Sequence, residues 1–178
     1  MINKAKIISN SLGKINDLDD SEKDKLYKII ALGALKYHIL KVDPKKKILF
    51  NPEESIEFNG NTGPFIQYTY ARIKSILNKS DNISNEYNEL KLNVKEKELI
   101  ILLCEFKNTV NNSIKALNPS LIANHIYELV KLYNSYYQTY TILGDKKINS
   151  FRVFLSEKVA IQIEKSMSLL GISVPNRM

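Results

Sequence analysis

Apolar residues recur at helical spacing through most of the chain, and the strict alternation of a strand is absent from residues 63–178. Leu26, Ile29, Ile30, Gly33, Tyr37 and Leu40 form an i, i+3, i+4, i+7 stripe. It predicts a helix over residues 21–41, opened by Ser21 with Asp24 three positions on as a capping pair. Residues 2–12 fit a short helix of their own, and the polar run from Lys14 to Asp20 fits a linker. Val42 to Phe50 sets a proline after an aspartate and then an apolar triplet, which predicts a turn and an extended piece. Asn59, Gly60, Asn61, Thr62 and Gly63 are residues of a tight loop, and Pro64 suits a first helical position. The second major helix then runs through Ile73 and Ile76 to Leu77, and the polar residues from Lys79 to Asn85 read as a loop.

A third helix spans 94–117, with Leu99, Leu102, Leu103, Phe106, Val110, Ile114 and Leu117 on its buried face. Asn118 and Pro119 cap and open a fourth, whose apolar period continues through Ile122, Ile126, Leu129, Val130 and Tyr133. The fifth opens near Asn149 or Ser150 and turns Val153, Phe154, Ala160, Ile163, Met167 and Leu170 inward. It stops at Gly171, with Ile172 placed for a contact across the glycine cap. The predicted class is therefore all-α: a helical bundle over residues 63–178, preceded by a mainly helical connecting segment over residues 1–62.

Composition changes this picture little: 44% hydrophobic and 25% charged residues are ordinary globular values, and 178 residues suit one domain or one domain with an appendage. Charge is more informative, because residues 1–62 carry eleven lysines against nine acids while residues 63–178 carry fifteen basic residues against ten acids. Most of the net +7 thus lies in the bundle, as a polyanion-binding part would have it, although a lysine-rich composition also suits a merely solvated surface. Cys104 is the only cysteine, so no intrachain disulfide forms, and its apolar setting predicts a small core residue. Two isolated histidines, His38 and His125, do not make a metal site, so none is expected. The apolar runs fall well short of the roughly twenty residues a bilayer needs, and the N-terminal residues lack the apolar stretch of a secretion signal, so a cytoplasmic location is expected.

Candidate chemistry concentrates in residues 58–73. Phe65, Tyr68 and Arg72 fall at i, i+3 and i+7 beside the loop, so two rings and a cation share one helical face. Such a face either stacks bases and holds phosphate or is the core side of an ordinary helix. Tyr127, Tyr133, Tyr136, Tyr137 and Tyr140 crowd into fourteen residues, more rings than one helical face buries. Tyr133, Tyr137 and Tyr140 share a face and Tyr136 points away, so some rings are expected at the surface as platforms for unstacked bases. Lys45, Lys46 and Lys47 either face an RNA backbone or form a solvated turn.

The string Phe58-Asn-Gly-Asn-Thr-Gly-Pro-Phe-Ile-Gln-Tyr-Thr-Tyr-Ala-Arg-Ile73 closely resembles the signature of arginyl-tRNA synthetases where the catalytic region hands over to the anticodon-binding bundle. Leu32-Gly-Ala-Leu-Lys-Tyr37, Asn51-Pro-Glu-Glu-Ser55, Glu98-Leu-Ile-Ile-Leu-Leu103, Asn118-Pro-Ser-Leu-Ile-Ala-Asn-His-Ile-Tyr127, Phe151-Arg152 and Leu169-Leu-Gly-Ile-Ser-Val-Pro-Asn-Arg-Met178 resemble the same family in the same order. The likeness covers nearly the whole chain. It implies an anticodon site built from Phe58, Asn59, Gly60, Asn61, Thr62, Phe65, Tyr68, Tyr137 and a pinned Met178; to these the helical faces add Tyr140 beside Tyr137, and Arg72 and Lys45–Lys47 are the candidate phosphate contacts. Phe65 stands where some relatives have tyrosine, which keeps a stacking ring and drops a hydroxyl.

Arg152 matches the arginine of the short motif that names this helical domain, without its aspartate, alanine and leucine, and is expected to be structural. Lys165-Ser-Met-Ser168 is similar in letters to a class I nucleotide loop, but it lies on an apolar-periodic helix in the wrong order. No glycine-rich phosphate loop or histidine pair occurs, so no catalytic residue is expected here. ATP and Mg belong to the parent enzyme, and the chain reads as a part of it. The implied partners are tRNA for arginine and the remainder of the synthetase, with neither membrane nor DNA. The other readings are a helical protein-interaction module and a standalone paralogue of the anticodon-binding domain.

Overall fold

A computed structural model describes residues 1–11, 15, 17–80, 91–143 and 150–178. Among these residues there are seven helices and no strand: α1 (Ile2–Ser11), α2 (Asp20–Leu40), α3 (Pro52–Ser55), α4 (Gly63–Leu77), α5 (Val94–Ala116), α6 (Ser120–Thr139) and α7 (Ser150–Leu169). Parts of the linker expected over 14–20, residues 81–85 of the expected loop, and the alternative start at Asn149 lie outside the described residues.

Local chemistry sets most of the boundaries. α2 starts from Asp19 rather than Ser21: the Asp19 carboxylate accepts from the Glu22 backbone N–H at 2.8 Å, and the Asp19 N–H donates to Glu22 Oε2 at 3.1 Å. This reciprocal box satisfies two end donors at once, which leaves Ser21 and Asp24 inside the helix. Thr62 caps α4 by accepting from the Phe65 N–H at 3.2 Å, with Pro64 in the first turn, where it gives up no intrahelical bond. At α6 Pro119 is the boundary residue, and the Asn118 side chain covers the helix start by accepting from the Ser120 N–H at 3.0 Å. α7 ends as expected. The Ile172 N–H donates to Met167 O at 2.8 Å and the Gly171 N–H to Ser168 O at 2.9 Å, while Gly171 takes φ +67°, which favours glycine.

Packing radiates from α4, which contacts α2, α6 and α7. Its Ile66, Ile73 and Ile76 meet Ile126, Leu129 and Tyr133 of α6 and Val159, Ile163 and Met167 of α7 in the larger core. Each such fully buried aliphatic contributes about 1.5–3 kcal/mol. A smaller core joins α1, α2, Ala71 of α4 and Met178. Helices α2 and α4 cross at Gly33 and Gly63, where a Cβ on Gly63 would lie 2.5 Å from the Gly33 carbonyl oxygen. Residues 1–62 and 63–178 therefore share core.

The predicted buried face of α5 is corrected by the structure. Leu99 is fully buried and Leu102, Leu103, Phe106 and Val110 are half-buried, but Ile114 and Leu117 are 65% and 83% exposed. Cys104 is exposed as well, not a core residue. An apolar stripe is buried only where another element covers it, and α5 leans chiefly on α6, with slight contact to α7. Phe154 is likewise half-buried, with Lys158 Nζ 4.5 Å from its ring centroid.

Candidate nucleic-acid interface

Tyr68 and Arg72 sit one turn apart on α4, and Tyr137 faces them from α6. The Arg72 guanidinium carbon lies 4.9 Å from the Tyr68 ring centroid and 5.2 Å from that of Tyr137. Tyr137 is 38% exposed and Tyr68 half-buried, so neither ring is committed to the core. Beside them runs a groove of about 420 Å³, a volume within the roughly 300–1,000 Å³ of small-molecule clefts. Tyr68, Arg72, Lys79, Asn176, Arg177 and Met178 contribute to its lining, which includes no acidic side chain.

Two segments approach this groove: the tail lines it, whereas none of residues 58–62 does and the loop reaches it only through Phe58 against Tyr68. Phe58 meets Tyr68 edge to face at 5.9 Å, a favoured aromatic geometry. Gly60 has φ +69° with open space where a Cβ would be, so its conformation rather than crowding calls for glycine. Asn61 is tied down from α2: Tyr37 Oη lies 2.7 Å from its Oδ1, and Lys41 Nζ donates to its carbonyl at 2.7 Å. Burial pushes the Tyr37 phenol far up and the Lys41 ammonium down from their ordinary values. Thr62 is buried and its hydroxyl serves the α4 cap and Glu57 O, so it fixes the loop. Asn59 and Gly60 keep exposed surface.

The tail arrives from the other side, held by Gln67, whose Nε2 donates to Ser173 O at 2.8 Å and Ile29 O at 3.2 Å. Met178 is thereby brought into the groove wall, buried at 4% exposure and packed in the smaller core with Tyr68 against it. Arg177 pairs with Asp17 at 2.8 Å, and that guanidinium holds the Asp17 carboxyl below its ordinary value.

Other predicted residues lie elsewhere. Phe65, expected on one face with Tyr68 and Arg72, is half-buried and tilted against Tyr127 at 6.2 Å, outside the groove lining. Tyr140 is half-buried between the Tyr136 ring at 5.4 Å and Arg152 at 5.1 Å, and with Tyr137 it lines a second hollow of about 240 Å³. Arg152 has the structural setting expected for it: its Nε donates to the buried Glu96 carboxylate at 3.1 Å and Nη1 to Thr141 O at 2.9 Å. Tyr133 and Tyr136 are fully buried, with hydroxyls bonded to Ser156 and Glu96. Lys45, Lys46 and Lys47 are exposed on a turn whose backbone is held by Asp43, and none lines the groove.

Ser75, Asn78, Lys79, Asn134 and Gln67 escaped the sequence reading. Extending the Tyr68, Arg72 stripe by three and seven residues reaches Ser75 and Lys79, so that signal was present; Gln67 and Asn134 act through tertiary contacts that no spacing reveals.

Among the described residues no group of three or more His, Cys, Asp or Glu could hold a metal ion, and no helix is long and apolar enough to cross a membrane. Residues 66–178 match the family model described as the DALR anticodon binding domain. Over its full length the chain is 54% identical to the arginine–tRNA ligase of Flavobacterium psychrophilum and 48% identical to that of Phocaeicola vulgatus, spanning 30% of each. The fold is similar to the Thermus thermophilus arginyl-tRNA synthetase (TM-score 0.82, 26% identity), with 99% of this chain and 31% of that one covered. Arginyl-tRNA synthetase from Plasmodium falciparum superposes with a TM-score of 0.86 over 99% of this chain and 32% of its own; at 24% identity it bears on the fold alone.

Proposed function

As a member of the DALR anticodon binding domain family, this chain is, we propose, the tRNA-reading part of an arginine–tRNA ligase, with its anticodon-loop site in the groove lined by Tyr68, Arg72 and Met178 and flanked by Tyr137, which packs on Arg72. The carrying observation is the stacking of Arg72 with two accessible tyrosines beside a groove whose charged side chains are all cationic. Aromatic faces stack unpaired bases whatever their sequence, and adjacent cations hold the backbone between them. Asn59 and Gly60 extend the site on the loop side, and Phe58 supports Tyr68 from beneath. Phe65, Tyr140 and Lys45–Lys47 are secondary contacts around it.

In this reading residues 1–62 connect to a catalytic region and residues 63–178 form the anticodon-binding bundle. Arginine activation with ATP and Mg belongs to the remainder of the ligase, the partners are tRNA for arginine and that remainder, and the location is the cytoplasm. A protein-docking module is favoured by one feature, the exposed Ile114 and Leu117 of α5. The tyrosines argue the other way, since they share their surface with Arg72 and Lys79 rather than with acids.

Electrophoretic titration with arginine tRNA tests the proposal. Tyr68→Ala and Tyr137→Ala should each weaken binding by about 1–3 kcal/mol with the thermal midpoint nearly unchanged. Undetectable or salt-insensitive binding by the unaltered chain refutes it in favour of docking; collapse of the fold in either variant makes that ring a core residue.

A further inference from the structure

The Arg72 guanidinium is held by a neutral partner. Its Nη1 donates to Asn134 Oδ1 at 2.5 Å, and no carboxylate pairs with it among the described residues. Asn134 is buried on α6, and its amide is fully used: Nδ2 donates to Thr69 Oγ1 at 2.8 Å and to Val130 O at 2.9 Å. Thr69 in turn donates to Phe65 O at 2.9 Å. These partners fix the amide's orientation. Val130 O only accepts and Arg72 only donates, so a flipped amide would set oxygen against oxygen and N–H against N–H. The guanidinium is therefore held in place against two rings with its full charge retained.

Contrast with the other guanidinium of the groove gives this arrangement its meaning. Arg177 is paired with the Asp17 carboxylate, which offsets its charge; Arg72 is positioned without that offset. The geometry points to Asn134 as a positioning residue that holds Arg72 in place while leaving its charge uncancelled for an RNA phosphate in the groove. An aspartate at this position would supply the same acceptor oxygen but neutralise the cation. The inference rests on the groove being an RNA site, and it adds that the groove depends on the neutrality of a residue behind it.

The test compares the unaltered chain with Asn134→Asp, Arg72→Gln and the double variant, binding an RNA hairpin that carries the anticodon loop of an arginine tRNA at 50 and 200 mM salt. One phosphate contact contributes about 0.7 to the slope of log affinity against log salt on single strands. Asn134→Asp should lower the slope by that amount, so its affinity deficit shrinks about 2.6-fold between the two salt concentrations. In the Arg72→Gln background the same change should leave the slope unaltered, a coupling that a merely structural role would not produce. Binding by the unaltered chain together with an undiminished slope in Asn134→Asp overturns this inference alone. Failure of the unaltered chain to bind overturns the groove's role and this inference with it. Should circular dichroism show Asn134→Asp unfolded, Asn134→Ala replaces it; affinity for the hairpin at least threefold weaker is expected, and undiminished affinity overturns the inference.

Discussion

Replacing Gly63 by alanine would put a Cβ 2.5 Å from the carbonyl oxygen of Gly33, 2.8 Å from its carbonyl carbon and 3.0 Å from Tyr37 Cβ. Two of those neighbours are backbone of α2, so no rotamer change relieves the clash and the two helices must separate. Overpacking of a close-packed interior costs about 1–3 kcal/mol. Against this stands the gain in helix propensity, at most about 1 kcal/mol and smaller at the first turn. A net loss of about 2 kcal/mol, at roughly 2–4 °C per kcal/mol for a chain of this size, lowers the thermal midpoint by roughly 4–8 °C. The contrasting variant is Gly60→Ala, where space is open but φ is +69°. It should lose about 1–2 kcal/mol for a different reason, the left-handed backbone. Asparagine, which tolerates that conformation, should restore most of the loss at position 60 and none at position 63. Differential scanning calorimetry of the four variants is the assay. A Gly63→Ala midpoint at or above that of the unaltered chain refutes the close-approach argument.

Arg152→Ala takes the cation from the Glu96 carboxylate, whose side chain is only 5% exposed, leaving it the Tyr136 hydroxyl and the Asn93 N–H as donors, and should cost about 3 kcal/mol in urea unfolding, with part regained by adding Glu96→Gln; an unchanged urea midpoint contradicts the structural role. Burial lowers the His125 pKa from the usual 6.5, so the folded state favours the neutral ring. The stability this gives is present above pH 6.5 and lost as pH falls toward the folded value, so the thermal midpoint should drop between pH 7.5 and 5 by less in His125→Gln than in the unaltered chain; equal drops exclude His125 as a source. Arginine-dependent pyrophosphate exchange should stay at background for this chain alone, and exchange above background would show that it carries an activation site after all.

Helix order and most core positions were legible because they follow from apolar period and from local end chemistry. Thr62, Asn118 and Gly171 each mark a boundary with their own side chain or conformation. The Asp19 cap was misplaced because Ser21 with Asp24 and Asp19 with Glu22 offer the same spacing, and only the second pair has a glutamate long enough to reach back. On α5 the stripe of Ile114 and Leu117 is as regular as that of Leu99, and whether anything covers it is a tertiary fact absent from the period. The groove was half legible. Tyr68 and Arg72 shared a face in the sequence, whereas the partners that orient them, Asn134 and Gln67, are polar residues whose importance arises only when α6 and the tail are in place.

The Gln67 bond to Ser173 spans 106 positions of the chain. Closing so long a loop is among the entropically costliest steps in folding, and it becomes favourable only once the intervening helices have collapsed around α4. The groove therefore takes its full shape only once the tail is docked. A chain with every helix formed but its tail undocked presents Tyr68 without Met178 against it, so on the proposed reading RNA recognition is a readout of complete folding rather than of any one segment.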